Sequence, residues 1–582
     1  LTFDPHYRRV ATMTDGNGTT TFRYHPVNGQ RGAGQLATVD GPWPNDEITY
    51  SYDALGRVLE RAIAGVAVRR TYDPAGRLTR MTNALGAFDY TWDGATDRLA
   101  SVLYPNGQRT EYAYQTGTRD ALLQRLTHFL PGGGKLSEFT YAYDALSRIT
   151  NWTQLQAGRT KTWRPAYDAA GRLTHLLESV QGSVTTAWAF DAADNRTLEQ
   201  AGGVRVESSY NALNQLTGVD PDAAIAPASF EWDAEHRLVA IGNATHQVGI
   251  EYDGLDRRTR VIIREGGTVV SDRRYVWSGM QLCEERDASG ALVLKRYSSH
   301  GVRSLGTPEL PAGNYYFTRD HLGSVRELTS AAGAASVYDY TAFGEQLLLG
   351  SGWGSDFGFT GHFQVREVDL LLAPYRAYSP GLARWLSRDP AGEAGGLNLY
   401  AYAGGDPINY FDPDGYEPKA AALVSQTQGY KDASQLMKVH DTVKDVNKLT
   451  ESMLDKGIKE GLKGKFEDAA KKAMPEGGMS EYEKLLKENE KNAKEGVNPL
   501  WKSIKDLWNG SSDQLAGECQ KSKPKPRTPK PKLAEPEKGW FDTLMESVFG
   551  SGDKPKPAQP GEPIKIKPVP MRQFESAAAD SY

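Results

Sequence analysis

The stretch Tyr52-Asp53-Ala54-Leu55-Gly56-Arg57-Val58 is a clear copy of a unit that recurs through the first 416 residues of this 582-residue chain. The anchors Tyr52, Tyr72 and Trp92 recur about every 20 residues, and a fixed period of this size indicates a repeat architecture. Close copies occupy residues 72–78 and 143–149, further copies start at Tyr167, Tyr210, Trp232 and Tyr252, and the copies at Trp92 and Phe190 are interpreted as having one-residue insertions.

The residue types of the unit predict a β-hairpin connection. Residues before the anchor alternate, as in Thr49-Tyr50-Ser51-Tyr52, which places aromatic rings on one face of a strand. The Asp can accept backbone N–H hydrogen bonds in a tight turn, the Gly tolerates positive φ, and the Arg-aliphatic pair starts the return strand. Such a unit cannot bury its own apolar face, so we expect successive copies to stack into a continuous sheet.

The composition sets limits on the class of protein. A hydrophobic content of 39% can supply a sizeable core, and a net charge of −5 demands no nucleic-acid partner. The two cysteines, Cys283 and Cys519, form neither a disulfide framework nor a Cys-x-x-Cys cluster, so the redox compartment stays open. No run approaches the roughly 18 to 20 apolar residues of a transmembrane helix. The chain begins at Leu1 without a signal sequence, and we expect it to start inside a longer protein.

The relative abundance of lysine and arginine reverses near residue 416. Residues 1–416 contain three lysines and 36 arginines, whereas residues 417–582 contain 27 lysines and two arginines. A single fold does not account for such a switch. We therefore interpret the chain as two polypeptides of different origin, a container and its cargo, joined near Asp412-Pro413-Asp414-Gly415-Tyr416.

An ordered series of different motifs follows the repeats. It includes 315–326 (Tyr315 to Arg326), Phe359-Thr360-Gly361-His362, the stretch from Tyr375 to Pro390, and a run that ends at Tyr416. Together with the Tyr-Asp units, this series resembles the RHS (YD-repeat) family and its RHS repeat-associated core domain.

The resemblance implies a mainly β fold, an antiparallel YD-repeat sheet that spirals around a large hollow space and forms a shell. It divides the chain into a YD-repeat β-shell at residues 1–314, a core domain with self-cleavage motifs at 315–416, and a variable, mostly α-helical effector region with Lys/Pro-rich linkers at 417–582. The Tyr, Asp and Arg residues of the repeats are then scaffold. His321 and His362 are interpreted as hydrogen-bonded structural residues and not as catalysts.

Two aspartates, Asp389 and Asp412, begin the two Asp-Pro-x-Gly motifs of the core segment. Paired carboxyl groups can share one proton, so that the ionised one activates a water while the protonated one polarises a peptide carbonyl. Peptide hydrolysis fits such a pair. The alternative is that both are ordinary Asp-Pro turns, since a third copy, Asp406-Pro407, lies between them.

The family resemblance implies that the core domain cuts its own chain as an aspartyl-type autoprotease just after the second motif. Carried over to this sequence, Asp389 and Asp412 are the catalytic pair, Arg388 stabilises them, and the cut falls between Tyr416 and Glu417. The chain departs from the family where Tyr416 replaces the usual Leu. It departs again at Glu393, where an apolar residue is usual.

The C-terminal 166 residues lack the motifs of common toxin chemistries. A single histidine, His440, disfavours an HNH nuclease, and Cys519 without a partner disfavours a zinc deaminase. No HExxH, GxSxG or phosphate-binding loop is present, and we predict no metal or cofactor. Apolar stripes with exposed-looking tryptophans, such as Trp501 and Trp540, fit either membrane-inserting amphipathic helices or a plain helical bundle.

These observations lead to one interpretation and two alternatives. We interpret the chain as the C-terminal part of a bacterial RHS polymorphic toxin for interbacterial competition, secreted or delivered into a target cell by a machine such as type VI secretion. The implied partners are a cognate immunity protein, a secretion spike or adaptor and, for the effector, a target membrane, with no nucleic acid. The alternatives are an RHS surface or adhesion protein with a non-toxic tail, and an effector with an unrecognised enzymatic or degraded activity.

Overall fold

A computed structural model describes residues 1–420 except 8, 181, 221–228, 334, 350–351 and 417, and these residues form almost entirely antiparallel β-structure. Each strand of the first sheet pairs with its neighbours in sequence, so its twenty strands form one continuous meander. The strands are β1 (Thr2–Phe3), β2 (Val10–Asp15), β3 (Gly18–Tyr24), β4 (Leu36–Asp40), β5 (Ile48–Tyr52), β6 (Val58–Ile63), β7 (Val66–Tyr72), β8 (Leu78–Asn83), β9 (Gly86–Trp92), β10 (Leu99–Leu103), β11 (Arg109–Tyr114), β12 (Leu123–Phe129), β13 (Lys135–Tyr143), β14 (Ile149–Gln156), β15 (Arg159–Tyr167), β16 (Leu173–Ser179), β17 (Ser183–Phe190), β18 (Arg196–Ala201), β19 (Val204–Tyr210) and β20 (Leu216–Val219).

A second antiparallel meander of twelve strands follows, and its strands also pair in sequence order. It crosses residue 314 without interruption, because β29 pairs with the strands on both sides of it. The strands are β21 (Ser229–Trp232), β22 (Leu238–Gly242), β23 (His246–Tyr252), β24 (Arg258–Glu265), β25 (Thr268–Ser278), β26 (Gln281–Arg286), β27 (Val293–Ser298), β28 (Gly301–Ser304), β29 (Gly313–Arg319), β30 (Val325–Ser330), β31 (Ala335–Tyr340) and β32 (Gln346–Leu348).

Two small sheets complete the described region. The first contains β33 (Phe363–Val365), β34 (Leu370–Leu372), β35 (Ala377–Ser379) and β36 (Arg384–Trp385), and the second pairs β37 (Tyr410–Phe411) with β38 (Lys419–Ala420). Helical geometry among the described residues is limited to the 3-10 turns Gly117–Arg119, Phe359–Gly361, Arg366–Val368, Gly392–Gly395 and Ala403–Gly405. None of the helices described is long and apolar enough to cross a membrane. The mainly β antiparallel fold is thus confirmed. Of the predicted, mostly helical region at 417–582, only residues 418–420 are described, and they include the strand β38.

The turns of the repeats have the geometry that their residue types predict. Asp53 Oδ1 accepts hydrogen bonds from the backbone N–H groups of Leu55 and Arg57, at 2.8 and 2.9 Å, and Asp53 Oδ2 pairs with Arg57 Nε. Gly56 has φ of +77°, a conformation that glycine adopts without a steric penalty. The return strand β6 begins at Val58, directly after the Arg.

Each turn is also tied to the next copy of the unit. The Arg57 guanidinium lies 4.4 Å from the centre of the Tyr72 ring, and the Tyr72 hydroxyl donates to Val58 O at 3.1 Å. The Arg148 and Tyr167 pair repeats this arrangement at 4.8 Å, with the Tyr167 hydroxyl donating to Ile149 O at 2.8 Å. The Tyr, Asp and Arg of the unit therefore link one repeat to the next, as cation-π and hydrogen-bonding groups of a scaffold.

The structure corrects one detail of the repeat assignment. The copy at Trp92 has the predicted inserted residue, because Asp93 N donates to Arg98 O. The copy at Phe190 has no insertion: Asp191 N donates to Asn195 O, the same spacing as Asp53 and Arg57. Asn195 takes the position of the Arg, and its Nδ2 donates to Asp191 Oδ2 at 2.9 Å. The side-chain amide of Asn195 thus replaces the guanidinium. The pattern of charged residues in the sequence did not reveal this replacement.

The core lies between the two large sheets, which pack face to face with their strands in the same order. Tyr50 contacts Ser278, Tyr90 contacts His300 and Ser137 contacts Glu327, so contacts advance along both sheets together. Large buried side chains of the first sheet, such as Trp152 and Phe139, join residues of the second in one apolar cluster. The segment after Asp406-Pro407 packs against this assembly, because Asn409 Oδ1 accepts a hydrogen bond from Ile149 N at 2.8 Å.

Candidate functional site

The site is built around Arg376, which lies in the hairpin between β34 and β35. Ala373 N donates to Arg376 O at 3.0 Å and closes this hairpin. The guanidinium lies 4.3 Å from the centre of the Trp385 ring, so the indole holds it in place from β36. The Arg376 side chain is only 2% exposed, and burial lowers the pKa of its guanidinium from the usual range.

Arg376 brings the two predicted catalytic aspartates together. Its Nη2 lies 2.9 Å from Asp389 Oδ2 and 2.9 Å from Asp412 Oδ2. The two carboxylate oxygens are therefore separated by no more than twice 2.9 Å. The side chains of Asp389 and Asp412 are 7% and 0% exposed, so this is a buried ionic cluster. Two carboxylates around one cation satisfy the requirement that a buried charge be paired.

Asp412 is held by the turn that it begins. Its Oδ1 accepts hydrogen bonds from Gly415 N at 2.9 Å and from Tyr416 N at 3.0 Å. Gly415 has φ of +79°, the left-handed conformation that Gly56 also adopts in its repeat turn. The backbone oxygen of Asp412 lies 2.9 Å from His362 Nε2. Tyr416, the residue before the predicted cut, thus contacts the Asp412 carboxylate through its backbone N–H group.

Asp389 is placed by a second turn. Its Oδ1 accepts from Ala391 N at 2.8 Å, and its own N–H donates to Leu399 O at 2.9 Å. Gly395 approaches so closely that a Cβ there would lie 2.8 Å from Asp389 Oδ2. Burial raises the pKa of Asp389 above its usual range, and the positive charge of Arg376 opposes that rise.

A third carboxylate, Asp414, also belongs to the cluster. Its Oδ1 accepts a hydrogen bond from Tyr416 N at 3.3 Å, the same amide that donates to Asp412 Oδ1. Lys419 Nζ lies 3.6 Å from Asp414 Oδ2. Burial raises the pKa of Asp414 to about 6, the positive charge of Lys419 opposes that rise, and the carboxylate of Asp412 adds to it.

The chain on both sides of the predicted cut is fixed by contacts. The rings of Tyr416 and Tyr375 lie 5.8 Å apart, centre to centre, so Tyr416 packs against the residue before Arg376. Beyond the cut, β38 pairs with β37, with Lys419 opposite Phe411. Residues 412–416 and 418 therefore lie between two paired strands. Glu417, the predicted residue after the cut, lies outside the described residues.

The structure separates the sequence-predicted residues into two groups. Asp389, Asp412 and Tyr416 lie together, whereas the Arg388 and Glu393 side chains are exposed. The guanidinium between the aspartates belongs to Arg376, which sequence reasoning missed. An Arg inside the apolar, aromatic stretch from Tyr375 to Tyr378 was the available signal, because a buried Arg requires carboxylate partners.

The two histidines considered in the sequence are buried and bound to backbone oxygens. His321 Nε2 lies 2.9 Å from Ile408 O, and His362 Nε2 lies at the same distance from Asp412 O. Burial lowers the pKa of His362 to about 4, so the ring is neutral near pH 7. Across the part of the chain that is described, no three His, Cys, Asp or Glu side chains are arranged to hold a metal ion.

Comparison with known proteins identifies the repeats. A family model described as RHS Repeat matches residues 52–87 and 72–109. The chain is 26% identical over 407 residues to Toxin protein Tse5 of Pseudomonas aeruginosa, which covers 66% of this chain and 26% of that protein. It is 25% identical over 436 residues to Double-stranded DNA deaminase toxin A of Burkholderia cenocepacia, which covers 70% of this chain and 25% of that protein.

Solved structures share the fold. A crystal structure of TcdB2-TccC3-TEV has a TM-score of 0.57 at 17% identity and covers 70% of this chain and 24% of that one. At this identity the likeness concerns the fold alone. The chain spans about a quarter of the length of the two toxins that it matches, 26% and 25% respectively.

Proposed function

Because the chain belongs to the RHS repeat family, we propose that it is the repeat and effector region of an RHS toxin that severs its own effector segment. Its relatives are named as toxins, and this naming supports a toxic role for the whole protein. The domain scheme of the proposal is a YD-repeat shell at residues 1–314, a self-cleaving core domain at 315–416 and an effector at 417–582.

The observation that carries the proposal is the contact of Asp389 and Asp412 with one guanidinium, next to Tyr416. Hydrolysis of the bond after Tyr416 requires a base to take a proton from water while the water oxygen attacks the carbonyl carbon. It also requires an acid to protonate the leaving nitrogen. Asp412 is the base in this scheme, because its oxygens contact both Arg376 and the Tyr416 amide. The Arg376 charge stabilises the negative charge that develops during attack.

The large sheets have a protective role in this proposal. Two stacked meanders of this kind, extended by the rest of the protein, form a closed shell around the severed effector. Cleavage then removes the covalent link while the effector stays enclosed until delivery. A cognate immunity protein and a secretion spike or adaptor are the partners that the producing and delivering cell requires.

For residues 417–582 we propose a membrane target. The sequence there has apolar stripes bordered by lysine and contains Trp501, Trp508 and Trp540, the composition of amphipathic helices that insert at a lipid interface. These residues lie outside the described region, so the sequence alone supports this part. We expect residues 417–582 to leak dye from anionic lipid vesicles, and Leu449→Asp or Trp540→Asp to reduce the leakage. If the vesicles retain their dye while a soluble target is degraded or modified, the membrane target is wrong and the segment acts as an enzyme.

Toxicity itself is tested by expression in bacteria. Residues 417–582 produced alone, in the cytoplasm and separately in the periplasm, should arrest growth, whereas the full chain should arrest growth far less. The full chain with Asp412→Asn is the matched control, because residues 417–582 should stay covalently attached in it. Normal growth with residues 417–582 in both compartments would contradict the proposed toxic function and favour a surface or adhesion protein.

A further inference from the structure

Two lysines are buried in a part of the chain that contains almost no lysine. Residues 1–416 contain three lysines and 36 arginines. The Lys135 side chain is 41% exposed, whereas Lys161 and Lys295 are 7% and 4% exposed. Arginine serves as the cation at other buried positions, such as Arg286, which pairs with a glutamate. An amine differs from a guanidinium because it can lose its proton and react as a nucleophile.

One of these lysines lies against a carboxylate of the facing sheet. Lys161 belongs to β15 of the first meander, and Asp339 belongs to β31 of the second. We propose that the Lys161 ammonium and the Asp339 carboxylate condense to an amide, which joins Nζ to Cγ and releases one water. The amide links the two sheets covalently, between residues that are 178 positions apart in sequence. The inference is independent of the proposed self-cleavage.

The groups that react are in contact and shielded from solvent. Lys161 Nζ donates a hydrogen bond to Asp339 Oδ2, and Cγ is one covalent bond away from that oxygen. Lys161 and Asp339 are each 7% exposed. Because the fold holds the amine beside the carboxyl group, it replaces the high concentration that amide formation in solution requires. Condensation also removes two charges from a buried site, where charges are costly.

The second oxygen of Asp339 is held by two donors. Oδ1 accepts a hydrogen bond from Tyr340 N at 2.9 Å and lies 3.2 Å from Arg326 Nη1. Negative charge develops on Oδ1 when Nζ attacks Cγ. A backbone N–H group and a guanidinium that already point at this oxygen stabilise that charge.

A second carboxylate, Glu178, is available to move a proton. Its Oε2 lies 4.0 Å from Lys161 Nζ and accepts a hydrogen bond from Trp163 Nε1 at 2.7 Å. Burial lowers the pKa of Lys161, which eases the loss of its proton, although the charge of Asp339 opposes this effect. Burial acts to raise the pKa of Asp339, but the charges of Arg326 and Lys161 outweigh it and lower the pKa. The pair therefore starts as an ammonium and a carboxylate.

Two protons move from the Lys161 nitrogen to the oxygen that leaves. The first passes from Nζ to Asp339 Oδ2 and gives an amine and a carboxyl group. The amine nitrogen then bonds to Cγ. The second proton passes from Nζ through the Glu178 carboxylate to Oδ2, the Cγ–Oδ2 bond breaks, and water leaves. The third hydrogen of the ammonium stays on the amide nitrogen, so atoms and charges balance without another reactant.

The other buried lysine should remain in an ordinary ion pair. Lys295 Nζ lies 2.9 Å from Asp356 Oδ1 and 3.4 Å from Glu285 Oε1, so two carboxylates surround its charge. Burial acts to lower the pKa of Lys295, but the two carboxylates outweigh it and raise the pKa. An ammonium that keeps its proton is not a nucleophile. We therefore expect one amide and not two.

The test is the mass of the purified wild-type chain in denaturant, followed by digestion with trypsin. The part that holds residues 1–416 should weigh less than its sequence requires by the mass of one water. Trypsin should release residues 160–172 joined to residues 327–366, because it does not cut after an acylated Lys161. A cut after Tyr416 leaves both peptides in the same fragment, so self-cleavage does not affect the result.

Two matched variants check which lysine reacts. Lys161→Arg keeps the positive charge and should show the full mass and separate peptides, whereas Lys295→Arg should keep the loss of one water. Glu178→Gln should form the link about 100-fold more slowly, so its linked fraction should rise during storage. An unlinked wild-type chain overturns the proposal, even where a variant fails to fold. A loss of water that persists in Lys161→Arg overturns it as well, because another pair then reacts.

Discussion

Asp389 Oδ2 and Asp412 Oδ2 each lie 2.9 Å from the same nitrogen, Nη2 of Arg376, although they begin different Asp-Pro motifs. The small sheet β33 to β36 makes this possible, because its hairpin presents Arg376 to both turns. The three side chains form one buried unit whose members depend on each other for charge compensation. A change in any one of them should therefore affect the others.

Replacement of Arg376 should reduce cleavage sharply. Arg376→Lys keeps the charge but loses the planar group that reaches both carboxylates and stacks on Trp385, so we expect the cleavage rate to fall about 100-fold. Arg388→Lys, at an exposed position, is the matched control and should cleave as the wild type does. The fraction of split chain on a denaturing gel measures both. Loss of cleavage in Arg388→Lys alone would restore Arg388 as the stabilising residue.

Gly395 provides a test that changes no charge. In Gly395→Ala the new Cβ would lie 2.8 Å from Asp389 Oδ2, which forces the carboxylate away from Arg376. We expect slower cleavage, by about tenfold or more, because small misplacements of catalytic groups are costly. Gly134→Ala has open space around its Cβ and should leave cleavage unchanged. Equal rates in both variants would mean that Asp389 has no part in the reaction.

The ion pairs of the repeat turns should differ in their contribution to stability according to burial. Asp253 and Arg257 are 5% and 7% exposed, whereas Asp53 and Arg57 are 14% and 31% exposed. Asp253→Ala leaves a buried guanidinium without its carboxylate and should cost about 3 to 5 kcal/mol of unfolding free energy. Asp53→Ala should cost about 1 kcal/mol. Urea unfolding followed by tryptophan fluorescence measures both, and equal costs would contradict the role of burial.

The left-handed position of the repeat turn should respond to glycine in a predictable direction. Ser147 adopts φ of +64° at the turn position that glycine occupies in the copies with Gly56, Gly76 and Gly171, and Gly171 adopts φ of +90° with open space around it. Ser147→Gly should stabilise the fold by about 1 kcal/mol through relief of strain. Gly171→Ala should destabilise it by about the same amount. Shifts of the urea midpoint in the same direction for both variants would contradict this account.

The fold of residues 1–420 follows from the repeat because local and long-range requirements agree. The Asp, the Gly and the Arg-aliphatic pair of 52–58 specify a turn, and the apolar positions specify one buried face. The stacking of one sheet on the other could not be predicted, because contacts such as Ser137 with Glu327 join residues far apart in sequence. The missing insertion at Phe190 was hidden because Asn195 fulfils the hydrogen-bonding role of an Arg.

The candidate site was only partly predictable for a related reason. Asp389 and Asp412 could be identified because each begins a recognisable motif, and Tyr416 because it precedes the change in composition. Arg376 could not be assigned, because spacing along the chain does not show which guanidinium the tertiary fold brings to the pair. Arg388 is adjacent to Asp389 in sequence, yet its side chain is exposed. Adjacency in sequence was therefore a poor guide to contact at this turn.

The central claim is that the chain cuts itself after Tyr416, and the most direct measurement is the intact mass and N-terminal sequence of the purified product. The wild type should yield fragments of 416 and 166 residues, the smaller beginning at Glu417. Asp389→Asn and Asp412→Asn should each remain a single chain of 582 residues. A wild-type chain that stays whole in native buffer, or one that splits at another bond, would contradict the account.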